Sequence, residues 1–125
     1  MVELTYRPCF SQVEYIKAFE DASNNTGYDF VEGIVYSQDK AVIMTGKMVP
    51  YTALKKNIFG YNPIGFWFKS WFYKHVETFL NKKSISGASD ENIPLDYVEF
   101  IPLRDYFHRH TRSIFWVYIF LISRN

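Results

Sequence analysis

Apolar and polar residues alternate over the first stretch of the chain, with Val2, Leu4 and Tyr6 set against Glu3, Thr5 and Arg7. A period of two belongs to a strand with one buried face, so Val2–Arg7 is predicted as a strand that Pro8 ends. The period then lengthens. Val13, Ile16 and Phe19 recur at helical spacing, flanked by Tyr15 and Ala22, and are read as the apolar face of a helix. Ser11, with Glu14 three residues on, opens that helix as a capping box, each side chain taking a backbone N–H that the first turn leaves unpaired. Asn24-Asn25-Thr26-Gly27 stops it, with Gly27 suited to a left-handed conformation.

Two β-rich runs follow, Tyr28–Tyr36 and Ala41–Met48, joined by the polar Ser37-Gln38-Asp39-Lys40; the pattern reads as a hairpin. From Val49 to Phe68 the chain is irregular, broken by Pro50, Gly60, Pro63 and Gly65. A second helix is predicted over Ser70–Lys82, where Trp71, Phe72, His75, Val76, Phe79 and Leu80 fall on one stripe. Ser84–Pro94 is small, polar and acidic, a surface loop, and Tyr97–Ile101 reads as a further strand before Pro102. The expected fold is α+β: an antiparallel sheet with two helices, packed on one of its faces.

Composition narrows the function classes. The 125 residues include 12 Phe and 10 Tyr, and 48% are apolar, which excludes a disordered chain. Fourteen Lys and Arg against thirteen Asp and Glu leave no basic field of the kind nucleic acid requires. Cys9 is a lone cysteine and forms no internal disulfide. The first residues lack the basic start and apolar run of a signal peptide, and the run Ile114–Ile122 falls well short of the roughly 20 residues that span a bilayer. Any membrane anchor is therefore expected to lie elsewhere.

Chemistry concentrates in one stretch, Tyr97–Trp116, and within its nine residues 104–112 Arg104, His108, Arg109, His110 and Arg112 face only Asp105. Three readings stand side by side. His108 and His110, on one face if the backbone is a strand, offer two metal ligands, but a structural zinc site takes about four. The arginines can grip phosphate or carboxylate in forked pairs. Or they pair with acids such as Asp96, Glu99 and Asp105 while the histidines donate to carbonyls. His75 reads as a satisfied core histidine, and Glu32 as an acid facing solvent on a half-exposed sheet.

The sequence I-P-L-R-D-Y-F-H-R-H-T-R-S-I-F-W over Ile101–Trp116 resembles the signature of the Δ24-sterol reductase (Diminuto/seladin-like) family. Phe30–Ser37 with Ala41–Gly46, Trp71–Glu77 and the opening Val2–Pro8 resemble the same family in the same order. The resemblance implies an internal piece of a vanillyl-alcohol-oxidase-type flavoenzyme. Residues 1–8 would be the strand leaving the FAD domain, 9–116 the start of the cap (substrate) domain, and 117–125 a divergent tail. It implies a reaction in which NADPH reduces FAD and the flavin reduces the C24 double bond of a sterol, in an enzyme of the endoplasmic reticulum membrane or Golgi.

By that resemblance Tyr106, His108 and His110 are the candidates for proton delivery, Arg109 and Arg112 for flavin or nicotinamide phosphate, and Phe66, Trp67 and Trp71 for the sterol. No metal is expected. The partners expected are the sterol and a flavin-binding domain outside this chain. The chain alone is therefore expected to be inactive and to bind neither FAD nor sterol well. The alternatives are a truncated, non-catalytic isoform acting as an interaction module, and a small anion-binding domain built on the Arg/His run.

Overall fold

A computed structural model describes residues 1–56, 60–66, 68–86 and 96–111. Its elements are β1 (Val2–Cys9), α1 (Gln12–Asn24), β2 (Phe30–Ser37), β3 (Lys40–Met48), a 3-10 turn at Tyr51–Lys56, α2 (Phe72–Ser86), β4 (Tyr97–Ile101) and α3 (Leu103–Phe107). The strands form one open antiparallel sheet in the order β2-β3-β1-β4. The α+β class and the antiparallel sheet are as expected. A third helix, α3, joins the two anticipated, and it begins at once after Pro102, whose fixed φ suits a helix start.

Pro8 does not end β1, which runs to Cys9 and pairs Pro8 with Val42. The reason lies in the sheet's shape: β4 accompanies β1 only from Val2 to Tyr6, so beyond Tyr6 that side of the strand is an edge. An edge position tolerates a residue with no N–H.

The helices lie on both faces of the sheet, not on one. Val2, Leu4, Tyr6, Val42 and Met44 meet Phe72, Val76, Phe79 and Leu80 of α2, with Ile64, Ile101 and Tyr106, in the main core. The alternate residues Cys9 and Ile43 meet Ala18 of α1, with Tyr15 beside them, in a smaller cluster on the opposite face. The period of two along β1 and β3 thus feeds two cores rather than one.

Helix α1 inverts its expected face. Val13, Ile16 and Phe19 are 79%, 53% and 43% exposed, while Ala18 and Ala22 are buried. Small side chains let the helix axis approach the sheet closely, and the large ones are left on its outer flank. Ile16 and Phe19 form with Gly33, Val35 and Ile43 an apolar groove of about 510 Å³ between α1 and β2.

Ser11 caps α1 as expected, accepting from the Glu14 N–H at 3.1 Å, and the Glu14 carboxylate accepts from the Phe10 N–H at 3.2 Å. The helix stops differently from the prediction. Asn25 turns extended and its Oδ1 accepts from the Gly27 N–H at 2.8 Å, an Asx turn that needs no left-handed glycine.

Candidate functional site

Two carboxylates on the main-core face organise the polar chemistry. The first gathers the run that the sequence singled out. Helix α3 turns Tyr106 inward, where it is fully buried and its ring meets Phe30 at 4.9 Å. The chain then turns through His108, which is exposed. Arg109 lies back over the Tyr106 ring at 4.1 Å and donates through Nε to Glu32 of β2 at 2.8 Å and through Nη1 to the Tyr106 carbonyl at 3.0 Å. His110 bonds the other Glu32 oxygen at 2.6 Å and presents its ring to Phe72.

Because this stretch is helix and turn rather than strand, His108 and His110 do not share a face. Among the described residues no group of three or more His, Cys, Asp or Glu is placed to hold a metal ion. Glu32, read from sequence as facing solvent, has a side chain only 20% exposed. Burial pushes its carboxyl upward, but the bonds and charges of His110 and Arg109 outweigh that and hold it below the ordinary value. Burial raises the Tyr106 phenol despite Arg109, so it stays protonated. Arg112 and Trp67 lie outside the described residues.

The second carboxylate is Glu99 of β4. It accepts from the Tyr6 hydroxyl at 2.8 Å, bonds His75 Nε2 at 2.8 Å and takes the Asn62 amide at 3.3 Å to both oxygens. The protonation pattern follows from the acceptors: Nε2 must carry a proton to reach Glu99, so the Asn62 amide, 3.1 Å from the same nitrogen, donates to the carboxylate and not to the ring. Burial raises the Glu99 carboxyl, and His75, Tyr6 and Asn62 together bring it below its ordinary value. Burial, with Glu99 beside it, pushes the Tyr6 phenol well above its ordinary value.

Local structure explains each placement. Residues 60–62 run alongside β4, with Tyr61 bridging in parallel to Phe100 and the Asn62 N–H donating to the Phe100 carbonyl at 2.9 Å. Gly60 permits this approach, since a Cβ there would sit 3.3 Å from the Phe100 ring. Helix α2 delivers His75, whose ring stands edge-on to Phe79 at 5.3 Å. His75 is thus the satisfied histidine expected. Glu99, expected as a partner of the arginines, serves it instead. Sequence reasoning did not find Asn62 or Tyr6, whose only signals are a polar residue between breakers and a hydroxyl at a buried strand position.

Among the described aromatic candidates, Phe66 and Trp71 each have an aromatic neighbour. Phe66 and Phe68 stack at 5.4 Å and are both exposed, whereas half-buried Trp71 packs near Tyr73 under the Lys74 ammonium at 5.2 Å.

Comparison with known proteins decides the relationship. The chain is 42% identical over 115 residues to the human Delta(24)-sterol reductase, 38% over 117 residues to the homologue dhcr-24 of Caenorhabditis elegans and 36% over 125 residues to the Pisum sativum reductase. Each match covers 92% of this chain. Over this stretch the chain belongs to the Δ24-sterol reductase family. It spans about a fifth of the length of these curated relatives, 19–20%. No family model matches the chain, and no solved structure matches it. No helix among the described residues is long and apolar enough to cross a membrane.

Proposed function

We propose that this chain is part of an FAD- and NADPH-dependent reductase that saturates the side-chain C24 double bond of a sterol. The observation that carries this reading is the agreement with animal and plant Δ24-sterol reductases over 92% of the chain. On this reading residues 1–8 leave a flavin domain outside the chain, residues 9–116 begin a cap domain of the vanillyl-alcohol-oxidase type, and 117–125 form a divergent tail. The intact enzyme works at the endoplasmic reticulum membrane.

Flavin, when bound, supplies the hydride chemistry. The donor set here fits only its periphery: the charge of Arg109 is already balanced by Glu32, so this chain has remaining guanidinium N–H groups to offer a phosphate oxygen but no built pyrophosphate cradle among its described residues. Arg112 is proposed beside it. Tyr106, His108 and His110 are proposed to hold or pass the proton that the reaction needs. Tyr106 suits this because it is protonated and fixed beneath Arg109, and His108 because it is exposed at the end of α3. Phe66, Trp67 and Trp71 are proposed for the sterol body.

The test is replacement. Residues 2–111 of this chain are exchanged for the matching stretch of the human relative, and the chimera is assayed for reduction of a Δ24 sterol with NADPH. Retained turnover, lowered by less than about tenfold, is the expected result. A folded, flavin-loaded chimera without turnover would overturn the proposal.

A further inference from the structure

Register makes Glu32 an unexpected residue. On β2 the side chains of Phe30, Ile34 and Tyr36 pack against the main core, and Glu32 holds the position between Phe30 and Ile34 on the same face. An apolar residue there would continue the stripe. A carboxylate has to be desolvated instead, and exchanging a buried ion pair for packed apolar side chains is often neutral or stabilising. Stability alone therefore gives no reason for an acid at position 32.

What the acid supplies is direction. Each of its oxygens takes one partner: Oε2 accepts the Arg109 Nε–H at 2.8 Å, and Oε1 meets His110 Nε2 at 2.6 Å. Both partners come from the turn after α3, while Glu32 itself is held in the sheet opposite Met44. The Arg109 guanidinium is fixed in turn by the Tyr106 carbonyl and the Tyr106 ring, so the carboxylate is braced on its Oε2 side. The other titratable groups that feel its charge are the phenols of Tyr6, Tyr36 and Tyr106, all raised and neutral. Bonding to an ionised carboxylate requires a proton on His110 Nε2. Nδ1 is then the nitrogen at which the ring gains or loses one. The side chains of Glu32 and His110 are 20% and 33% exposed, so the pair is reachable from outside the described fold.

We propose that Glu32 is the positioning residue of His110, fixing its tautomer and the direction of its ring, with Arg109 as the brace that holds the carboxylate. The positioning stands on this geometry. Its use in catalysis rests on the reductase reading, in which His110 is one of the residues that hold or pass the proton.

The first experiment is kinetic and uses the human reductase carrying residues 2–111 of this chain. Glu32→Gln keeps the size and one acceptor but removes the charge. Expected is a fall in kcat per bound flavin of about tenfold or more with the sterol KM within about twofold, partly recovered by Glu32→Asp. The double variant of Glu32→Gln with His110→Gln should lose no more than His110→Gln alone, because the acid acts through the ring. Losses that multiply, or a Glu32→Gln enzyme within about threefold of its parent, would overturn the assignment. The second experiment needs no turnover. The 15N signals of the His110 ring are recorded on the chain itself, above the pH at which the ring titrates. A single tautomer with the proton on Nε2 is expected, giving way in Glu32→Ala to a mixture of two while the His75 signals stay in place. A mixture already in the unaltered chain, or His110 signals that Glu32→Ala does not move, would overturn the positioning itself. An unaltered, flavin-loaded chimera without turnover would instead overturn the reductase reading and the catalytic use of Glu32 with it, whatever tautomer the ring signals show.

Discussion

Glu32 and Glu99 stand on the same face of one sheet, on its two opposite edge strands, and they are satisfied in contrasting ways. Glu32 takes an arginine and a histidine that are neighbours in the chain. Glu99 takes a tyrosine, an asparagine and a histidine from three distant segments. The first centre is a local cluster of charge folded back onto an acid. The second is a junction that exists only when β1, the segment at residue 62, α2 and β4 have all docked. What the difference teaches is that charge density along the chain marks the basic half of a centre, though not the acid it folds onto, while an assembled polar junction leaves almost no trace in the sequence.

If that contrast is right, the largest effect comes from the junction. Glu99→Leu removes one acceptor from three buried donors at once and is expected to lower stability by about 3–5 kcal/mol, read as a fall in the urea midpoint at constant slope. A loss under about 1 kcal/mol would show that the three donors find other partners. Glu32→Ala is expected to lose less, about 2 kcal/mol, because Arg109 and His110 can turn toward water. The double variant with Arg109→Ala should then lose clearly less than the sum of the two single losses. Strict additivity would break the pairing.

Acid should weaken both centres more gently, since a protonated carboxyl still accepts. Both carboxyls titrate below their ordinary value of 4.5 in the folded chain. A depressed folded midpoint means stability that is complete above the unfolded midpoint and is lost as pH falls through the folded one. Unfolding measured between about pH 5 and pH 2 should therefore show falling stability, and Glu32→Gln should remove part of that slope. The smallest effect tests how the two regions are tied. A Cβ on Gly65 would lie 2.7 Å from Asp105 Oδ1 of α3, so Gly65→Ala is expected to cost about 1 kcal/mol, with Asp105 swinging away. Shifts in the NMR signals of both His75 and His110 in that variant would show that the segment carrying Asn62 and the helix carrying Arg109 move together.

Much of the fold was legible. The alternation in β1, the hairpin of β2 and β3 and the Ser11 cap are local patterns, and local patterns survive in one dimension. Three features were not. Pro8 stays in its strand because β4 is short, which only the sheet shows. Helix α1 buries its alanines because approach distance, not hydrophobicity, chose the face. Glu32 and Glu99 found partners dozens of residues away, and no spacing rule connects Glu32 to His110 or Tyr6 to Glu99. For the candidate site, the sequence supplied the members of the Arg/His run but neither the acid that they meet nor the Asn62 amide at Glu99.

The position of β1 has a consequence for how the chain is made. Within this stretch it is synthesised before the strands it meets, yet it sits inside the sheet, and its pairing with β4 joins Val2 to Ile101. During synthesis β1 can pair with β3 early, leaving its other edge open until β4 emerges. A bare inner edge is a template for a neighbouring nascent chain. The sheet therefore closes through its most distant contact, which predicts slow closure and a dependence on chaperones that shield the edge of β1 until β4 arrives.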